Sequence, residues 1–184
     1  MTWDRVAAEA HWVPAARPWS STYRVGIDGA SLANATVDVW HSDNDGYYDV
    51  QLDDPSTSLR ARFRTDPAGG FSFWSILPSS YSIPVDGPVG EMLAAQGRHG
   101  FRPAHVHFKI AAPRHRELVT HVFVSGDEYL LSDAVFGVKE TLIADFVLHG
   151  PGDVPDGRQL AEPWAQLTYD FALGHANAVS QRST

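Results

Sequence analysis

Turn-forming residues return along this chain at short intervals, and no other feature restricts the fold as strongly. The clusters Asp43-Asn44-Asp45-Gly46, Asp66-Pro67-Ala68-Gly69-Gly70, Asp86-Gly87-Pro88, Ser125-Gly126-Asp127 and a run from Gly150 to Gly157 supply the positive-φ and fixed-φ positions at which one extended segment ends and another starts. Between them, side chains alternate with period two. Val37 and Val39 form one set, and Leu59, Ala61 and Phe63 alternate with Arg60, Arg62 and Arg64. Phe71 with Phe73, Ala104 through Phe108, Leu118 to Val124, and Leu167 to Leu173 continue the pattern. Period two puts one set of side chains on a core face and the other toward solvent or a site. Many short strands with frequent turns predict an all-β fold, an antiparallel β-sandwich with a few short helices in its loops. Glu91–Gln96 ahead of Gly97 reads as one such helix with a glycine stop, and Ser132 to Asp145 as room for another short helical piece beside a strand.

The length of 184 residues suits one domain with a short appendage. Residues 1–22, which hold Trp3, Trp12 and Trp19 without clear alternation, are expected to form an N-terminal arm packed on the sandwich or on a partner. Residues 23–176 are expected to form the sandwich and 177–184 a frayed tail. With 14 Lys+Arg against 22 Asp+Glu, the formal charge of −8 argues against binding the phosphate backbone of a nucleic acid. The absence of cysteine excludes disulfide frameworks, thiolate zinc sites, iron–sulfur clusters and cysteine nucleophiles together. No apolar run approaches the roughly 18–20 residues that span a bilayer. The opening segment, Met1 to His11, lacks a basic stretch followed by an apolar one. The expectation is a cytoplasmic protein with neither a membrane nor a nucleic acid as partner.

Residues able to carry chemistry are few. His105 and His107 point to the same face of a strand-like segment, near enough for their ring nitrogens to share one metal ion. A lone His-x-His reads first as two polar residues on a solvated sheet face, so further ligands are needed to raise it above that. No acidic residue follows His107 before Glu117, so a close His-x-His-plus-Glu arrangement is absent. Asp43, Asp45 and Gly46 begin like a calcium loop but no Glu follows at the required spacing. There is no Gly-rich phosphate loop and no Gly-x-Ser-x-Gly elbow. Tyr48, after the Asp43–Gly46 turn, and Tyr81, after Ile76–Ser80, stand at the ends of predicted strands, where a rigid sandwich aims side chains inward. Taken singly, each reads equally as a core or surface tyrosine. Tyr47 points the opposite way from Tyr48 if the segment is extended.

Four stretches taken together resemble the intradiol ring-cleavage dioxygenases, non-haem iron(III) enzymes that open catechols between their two hydroxyls. They are Ala35 to Gln51, Leu59 to Asp66, Ile76-Leu77-Pro78-Ser79-Ser80-Tyr81, and Gly97 to Phe108. Within them Gly46-x-Tyr48, Pro78-x-x-Tyr81 and Arg102-Pro103-Ala104-His105-x-His107, in this order, are far more specific than any one alone. The resemblance runs from about Tyr23 to Leu173.

By motif position, the resemblance implies that Tyr48, Tyr81, His105 and His107 hold the metal, Tyr48 and His105 as equatorial ligands, Tyr81 and His107 as axial ones. It implies a non-haem Fe(III) cofactor, a small aromatic diol and O2 as partners, and Arg102 over the ring to stabilise developing negative charge. Phenolate is a hard donor that favours Fe(III) over Fe(II). A phenol of pKa about 10 binds at neutral pH only where a cation stabilises its anion. In the family's chemistry the entering diol gives its protons to the axial tyrosine, here Tyr81, and to a hydroxide. Phe73 to Pro78, Ile83 to Gly90 and Ser132 to Gly137 look most like the hydroxyquinol (benzene-1,2,4-triol) dioxygenases of the catechol-type branch. That likeness implies that Val135 lines the substrate pocket. His121 stands where catechol-specific relatives carry glutamine, either as a hydrogen-bond partner near the substrate or as a plain polar strand residue.

The implied reaction takes hydroxyquinol to maleylacetate; the alternative is catechol or a substituted catechol giving cis,cis-muconates. From other classes, a catalytically silent β-sandwich binding module and a two-histidine metal hydrolase with an undetected carboxylate are the competing readings. His41, His99, His115, His149 and His175 read as structural or exposed. Relatives of the catechol and hydroxyquinol types carry a long helical N-terminal region that builds their dimer interface and part of the pocket. Residues 1–22 are too short to supply it, so the expectation is a chain without that region and a homodimer without its usual interface.

Overall fold

Alternating segments become strands wherever a turn lets the chain reverse and pair. The computed structural model describes residues 18–52 and 59–176; Trp3, Trp12 and the tail at 177–184 lie outside the described residues. The chain runs first through β1 (Pro18–Ile27), β2 (Ala30–Ser31), β3 (Thr36–Trp40), β4 (Arg60–Arg64) and β5 (Gly70–Ile76). A connecting stretch holds β6 (Tyr81–Ser82), helix α1 (Pro88–Ala95) and β7 (Phe101–Arg102). The sandwich resumes with β8 (His105–Ala111) and β9 (Leu118–Val124), followed by β10 (Ile143–Ala144) and β11 (Val147–His149). Last come β12 (Gly152–Asp153), β13 (Gln159–Leu160) and β14 (Trp164–Ala172).

Two five-stranded sheets result. One runs β11-β14-β1-β2, with β5 also paired to β1, and the other runs β10-β9-β8-β3-β4. The fold is all-β, as expected, but neither sheet is purely antiparallel: β14 runs parallel to β1, and β10 parallel to β9. A parallel neighbour needs a crossover rather than a hairpin. β1 and β14 are joined through nearly the whole chain, a relation that no local turn residue announces. Residues 18–22, expected in the arm, are the first half of β1. There Trp19 is fully buried and donates its indole N–H to the Ile76 carbonyl at 2.7 Å.

Outside β1, whose alternation was not recognised, the inward-facing sets are those the alternation named. Val37 and Val39 of β3, Val106, Phe108 and Ile110 of β8 and Val122 of β9 pack with Trp19, Tyr23 and Val25 of β1, Phe71 and Phe73 of β5, and Leu167 and Phe171 of β14. Aromatic rings make much of this contact. Tyr23 stacks on Phe71 at 4.8 Å and meets Phe108 edge-on at 5.0 Å, and Phe108 meets Phe171 at 4.8 Å. Fully burying one such side chain contributes roughly 1.5–3 kcal/mol.

The helices differ in part from expectation. α1 begins at Pro88 rather than Glu91, because proline suits the first helical position, where its missing N–H is no loss. It stops ahead of Gly97, with Arg98 N–H bonded back to the Leu93 carbonyl at 2.9 Å. No second α-helix forms over Ser132–Asp145, which holds turns, a 3-10 turn at Glu140–Leu142 and the strand β10. The Asp133 carboxylate captures the backbone N–H groups of Val135 and Gly137 at 3.3 and 2.8 Å, and such local bonds compete with a helix.

His41 ties the two sheets together. It is buried just after β3, donates from Nδ1 to the Ser42 carbonyl at 2.7 Å, and accepts at Nε2 from the Ser75 hydroxyl of β5, also at 2.7 Å. Both bonds suit the neutral ring, and burial holds its pKa down at about 4. A group whose folded pKa lies below its unfolded value adds stability above the unfolded pKa and loses it as pH falls toward the folded one. From an unfolded value of 6.5, protonating His41 costs on the order of 3 kcal/mol of stability by pH 4. His41→Gln is therefore expected to flatten the pH dependence of urea unfolding between pH 6.5 and 4. An unaltered slope would remove His41 as its source.

Candidate metal centre

β8 sends Val106, Phe108 and Ile110 into the core, so His105 and His107 emerge together on the outer face of the same sheet. Ladder pairing places Trp40 of β3 on one side of His107 and His121 of β9 on the other. The β6–β7 ladder sets Tyr81 directly opposite Arg102. Tyr48 arrives from the loop after β3. Asp43 Oδ1 accepts from the backbone N–H groups of Asp45 and Tyr47 at 3.0 and 2.8 Å, closing a turn in which Gly46 takes a φ of 87°. A Cβ at Gly46 would lie 2.5 Å from Tyr81 Cβ, so glycine is what lets the Tyr48 loop close onto Tyr81. Beyond the turn, Gln51 Oε1 accepts from the Tyr48 N–H at 2.9 Å, and Arg60 grips Asp49 with Nε at 2.7 Å and Nη2 at 3.2 Å. Tyr47 is left 52% exposed.

Four donor atoms meet at one place. Tyr48 Oη lies 2.9 Å from Tyr81 Oη, 2.9 Å from His107 Nε2 and 3.4 Å from His105 Nε2, and the two imidazole nitrogens are 3.1 Å apart. Donors held about 2.0–2.1 Å from one ion lie about 2.9 Å apart at right angles and about 3.3 Å apart in a tetrahedron. The observed spacing is therefore that of a single coordination sphere. The rings are oriented to match. His105 donates from Nδ1 to the Pro103 carbonyl at 2.6 Å, which leaves its Nε2 lone pair toward the cluster. His107 stacks on Trp40 with centroids 4.9 Å apart and planes 4° apart. Among the described residues, the grouped ligand-bearing His, Asp and Glu side chains are His105, His107 and His121. Among the described residues no carboxylate joins them.

The local electrostatics point the same way. Burial, then the Arg102 charge, lowers the His105 pKa to about 3; burial, then His105, lowers His107 to about 2. Burial and Arg102 lower His121 as well. Burial, then the hydrogen bond with Tyr81, pushes the Tyr48 phenol up. The pocket thus keeps its imidazoles neutral with lone pairs free, and makes a phenolate costly unless a cation stands beside it. A metal ion held by these donors would supply that charge.

Arg102 is buried at 7% exposure. Its Nη1 lies 3.2 Å from His105 Nε2, its Nε donates to Asp133 Oδ1 at 3.2 Å, and its buried Nη2 has no partner among the described residues. A substrate oxygen carrying negative charge would satisfy that donor. The ring of His121 lies 4.4 Å from that of His107 and 5.2 Å from that of His105, within the cluster rather than on a solvated strand face. Val135 is linked to Arg102 through the Asp133 carboxylate and is 47% exposed. Of the histidines read as structural or exposed, His149 stacks on Trp164 at 4.3 Å, His115 and His175 form an isolated bridge, and His99 bonds Ser132 at 2.9 Å.

Sequence reasoning passed over the supports of this site: Trp40, Asp49, Gln51, Arg60 and Asp133. Trp40, Asp49 and Gln51 lie in the same family-like stretch as Tyr48, Arg60 in Leu59–Asp66 and Asp133 in Ser132–Gly137, so membership in those stretches was the available signal. Which of them touch the ligands depends on ladder register and loop closure.

Comparison with known proteins places the chain among similar ones. The family described as Dioxygenase matches residues 23–175. The hydroxyquinol 1,2-dioxygenase of Nocardioides simplex is 48% identical over 159 residues, 86% of this chain and 54% of that protein. The structure of a hydroxyquinol 1,2-dioxygenase from Pseudomonas putida DLL-E4 superposes with a TM-score of 0.81 at 41% identity, over 88% of this chain and 57% of the other. That of a catechol 1,2-dioxygenase from Pseudomonas arvilla C-1 superposes with a TM-score of 0.84 at 34% identity, over 95% and 57%. The chain spans about half the length of the curated relatives it matches.

Proposed function

The chain belongs to the intradiol ring-cleavage dioxygenase family, and from that membership we propose that it cleaves an aromatic 1,2-diol between its two hydroxyls, both atoms of O2 entering the product. The substrate assigned is hydroxyquinol, giving maleylacetate. One observation carries the reading: two phenol oxygens and two imidazole nitrogens converge at the separations of one coordination sphere. Tyr48, Tyr81, His105 and His107 would hold a non-haem iron(III) ion. Bound there, ferric iron supplies an electron-withdrawing centre that makes a deprotonated diol reactive toward O2.

The chain's own groups prepare that chemistry. Tyr81 Oη, on the two-residue strand β6, receives one proton from the entering diol. Tyr48 Oη is kept in place by a loop that Gln51 and the Asp49–Arg60 pair hold from behind. Pro103 and Trp40 keep both imidazoles presenting Nε2. Arg102 offers its buried Nη2, without a partner among the described residues, to the negative charge that gathers on the diol. His121 and Val135 shape the pocket around the ring. Residues 18–176, β1 included, act as the catalytic unit, with a small diffusible diol and O2 as partners and the cytoplasm as the place of action.

A second reading, catechol or a substituted catechol as substrate, is favoured by the likeness to a catechol-acting enzyme. Parallel O2-uptake assays of the iron-loaded protein with hydroxyquinol, catechol and protocatechuate decide between them. A kcat/KM roughly tenfold or more higher for hydroxyquinol is expected, a margin that pocket contacts supply. Preference for catechol moves the assignment to the second reading. No uptake with any of the three, in coloured and iron-replete protein, leaves the silent binding module.

A further inference from the structure

The acidic side chain next to the centre does not touch the donor cluster; it touches what surrounds it. Asp133 is 3% exposed. Its Oδ1 accepts from Arg102 Nε at 3.2 Å and from the Val135 N–H at 3.3 Å, and its Oδ2 accepts from the Gly137 N–H at 2.8 Å. One carboxylate therefore holds both the arginine aimed at the cluster and the turn that carries Val135.

That turn is fastened from a second direction. Arg98 Nη2 donates to the Asp133 and Ala134 carbonyls at 3.0 and 3.3 Å, and its guanidinium lies 3.8 Å from the centroid of the Phe136 ring. The Ala134 N–H bonds the Phe101 carbonyl at 3.0 Å. Phe136 takes a φ of 54°, a left-handed conformation that a bulky residue holds only when its surroundings impose it. Gly137 backs directly onto the guanidinium: a Cβ there would lie 3.1 Å from Arg102 Nη2 and 3.2 Å from Asp133 Oδ2.

Arg102 has few other restraints. Nε is held by Asp133, Nη1 faces His105 Nε2 and Nη2 has no partner among the described residues. Without the carboxylate, a buried cation would stand beside the place where the imidazoles present their lone pairs, with no counter-charge and no fixed plane. We propose that Asp133 is a positioning residue that locks Arg102 and the Val135 turn into one unit, so that binding of the diol oxygens and the wall of the pocket are set by the same carboxylate. This rests on the reading of the site as a diol-cleaving centre.

Asp133→Asn tests it, made in the parent chain and in an Arg102→Met background. In the parent, kcat/KM for the diol is expected to fall about 10–100-fold, the usual effect of losing a support behind a working group, with iron content and visible colour kept. Anaerobic titration with 4-nitrocatechol, followed by its visible band, is expected to show weaker binding by a similar factor. In the Arg102→Met background the same exchange is expected to cost several-fold less than in the parent, the remainder coming from the loosened Val135 turn, because contacting residues are not additive. A crystal structure of Asp133→Asn is expected to show the guanidinium turned from His105. Gly137→Ala, which crowds the same guanidinium without touching the carboxylate's charge, is expected to give a smaller fall of the same kind and serves where Asp133→Asn does not fold. Equal falls in both backgrounds, or an Arg102 orientation unchanged in the crystal, would overturn the proposal. If the parent consumes no O2 with any diol, the reading of the site fails, and the Arg102 orientation still decides the role of Asp133 by itself.

Discussion

Tyr48→Phe is expected to bleach the iron-loaded protein and to cut diol turnover by more than the roughly 10–100-fold that losing a mere support of a metal ligand costs. Tyr48 Oη is the atom on which the cluster closes, 2.9 Å from both Tyr81 Oη and His107 Nε2. Removing it leaves two neutral imidazoles and one phenol, a set with too little anionic, hard-donor character to favour a trivalent ion. Phenylalanine keeps the ring and its edge-on packing against Tyr81 and His107, at 5.5 and 5.6 Å, so the fold should persist and the loss should be one of metal chemistry. Metal analysis, the visible spectrum and O2 uptake on one preparation check this. Tyr47→Phe, changing an exposed neighbour, serves as the control and should alter none of the three. Full colour and undiminished turnover in Tyr48→Phe would end the ligand assignment.

Phe108→Ala is expected to destabilise the protein by about 3–5 kcal/mol, the usual cost of emptying a buried aromatic site. Phe108 has no exposed surface and lies between Tyr23 and Phe171, so its ring bridges the two sheets. Little in the surroundings can collapse into the gap, because the neighbours are themselves rings held on paired strands. The change also acts on the site, since β8 carries His105 and His107 on its other face. Urea unfolding monitored by tryptophan fluorescence measures the loss. A change below about 1 kcal/mol, the scale of an ordinary surface substitution, would mean that the two sheets do not pack through this ring.

The strands of the core were legible in the chain because their period is local: Val106, Phe108 and Ile110 name their own face, and by doing so place His105 and His107 on the other. The Asp43–Gly46 turn and the divergence of Tyr47 from Tyr48 were legible for the same reason, since both depend on a few consecutive residues. The short helical piece beside a strand over Ser132–Asp145 was legible too, as the 3-10 turn Glu140–Leu142 ahead of β10, while the Asp133 carboxylate, by capturing local N–H groups, holds the first part of that stretch in turns. The parallel pairing of β1 with β14, and the place of Trp19 inside the sheet rather than in an arm, depend on contacts between the two ends of the chain.

Sequence by itself therefore determined which side chains face inward, where the chain turns and which four donors are present. Tertiary structure alone decided that Tyr48 Oη lies within 3.4 Å of the other three donors, that Trp40 and Pro103 aim the imidazoles, and that Asp133 holds Arg102. Alternation and turn preference act between neighbours in the chain. Convergence of loops separated by dozens of residues is set by sheet register and by close approach, as where Gly46 gives way to Tyr81, and those exist only once the strands have paired.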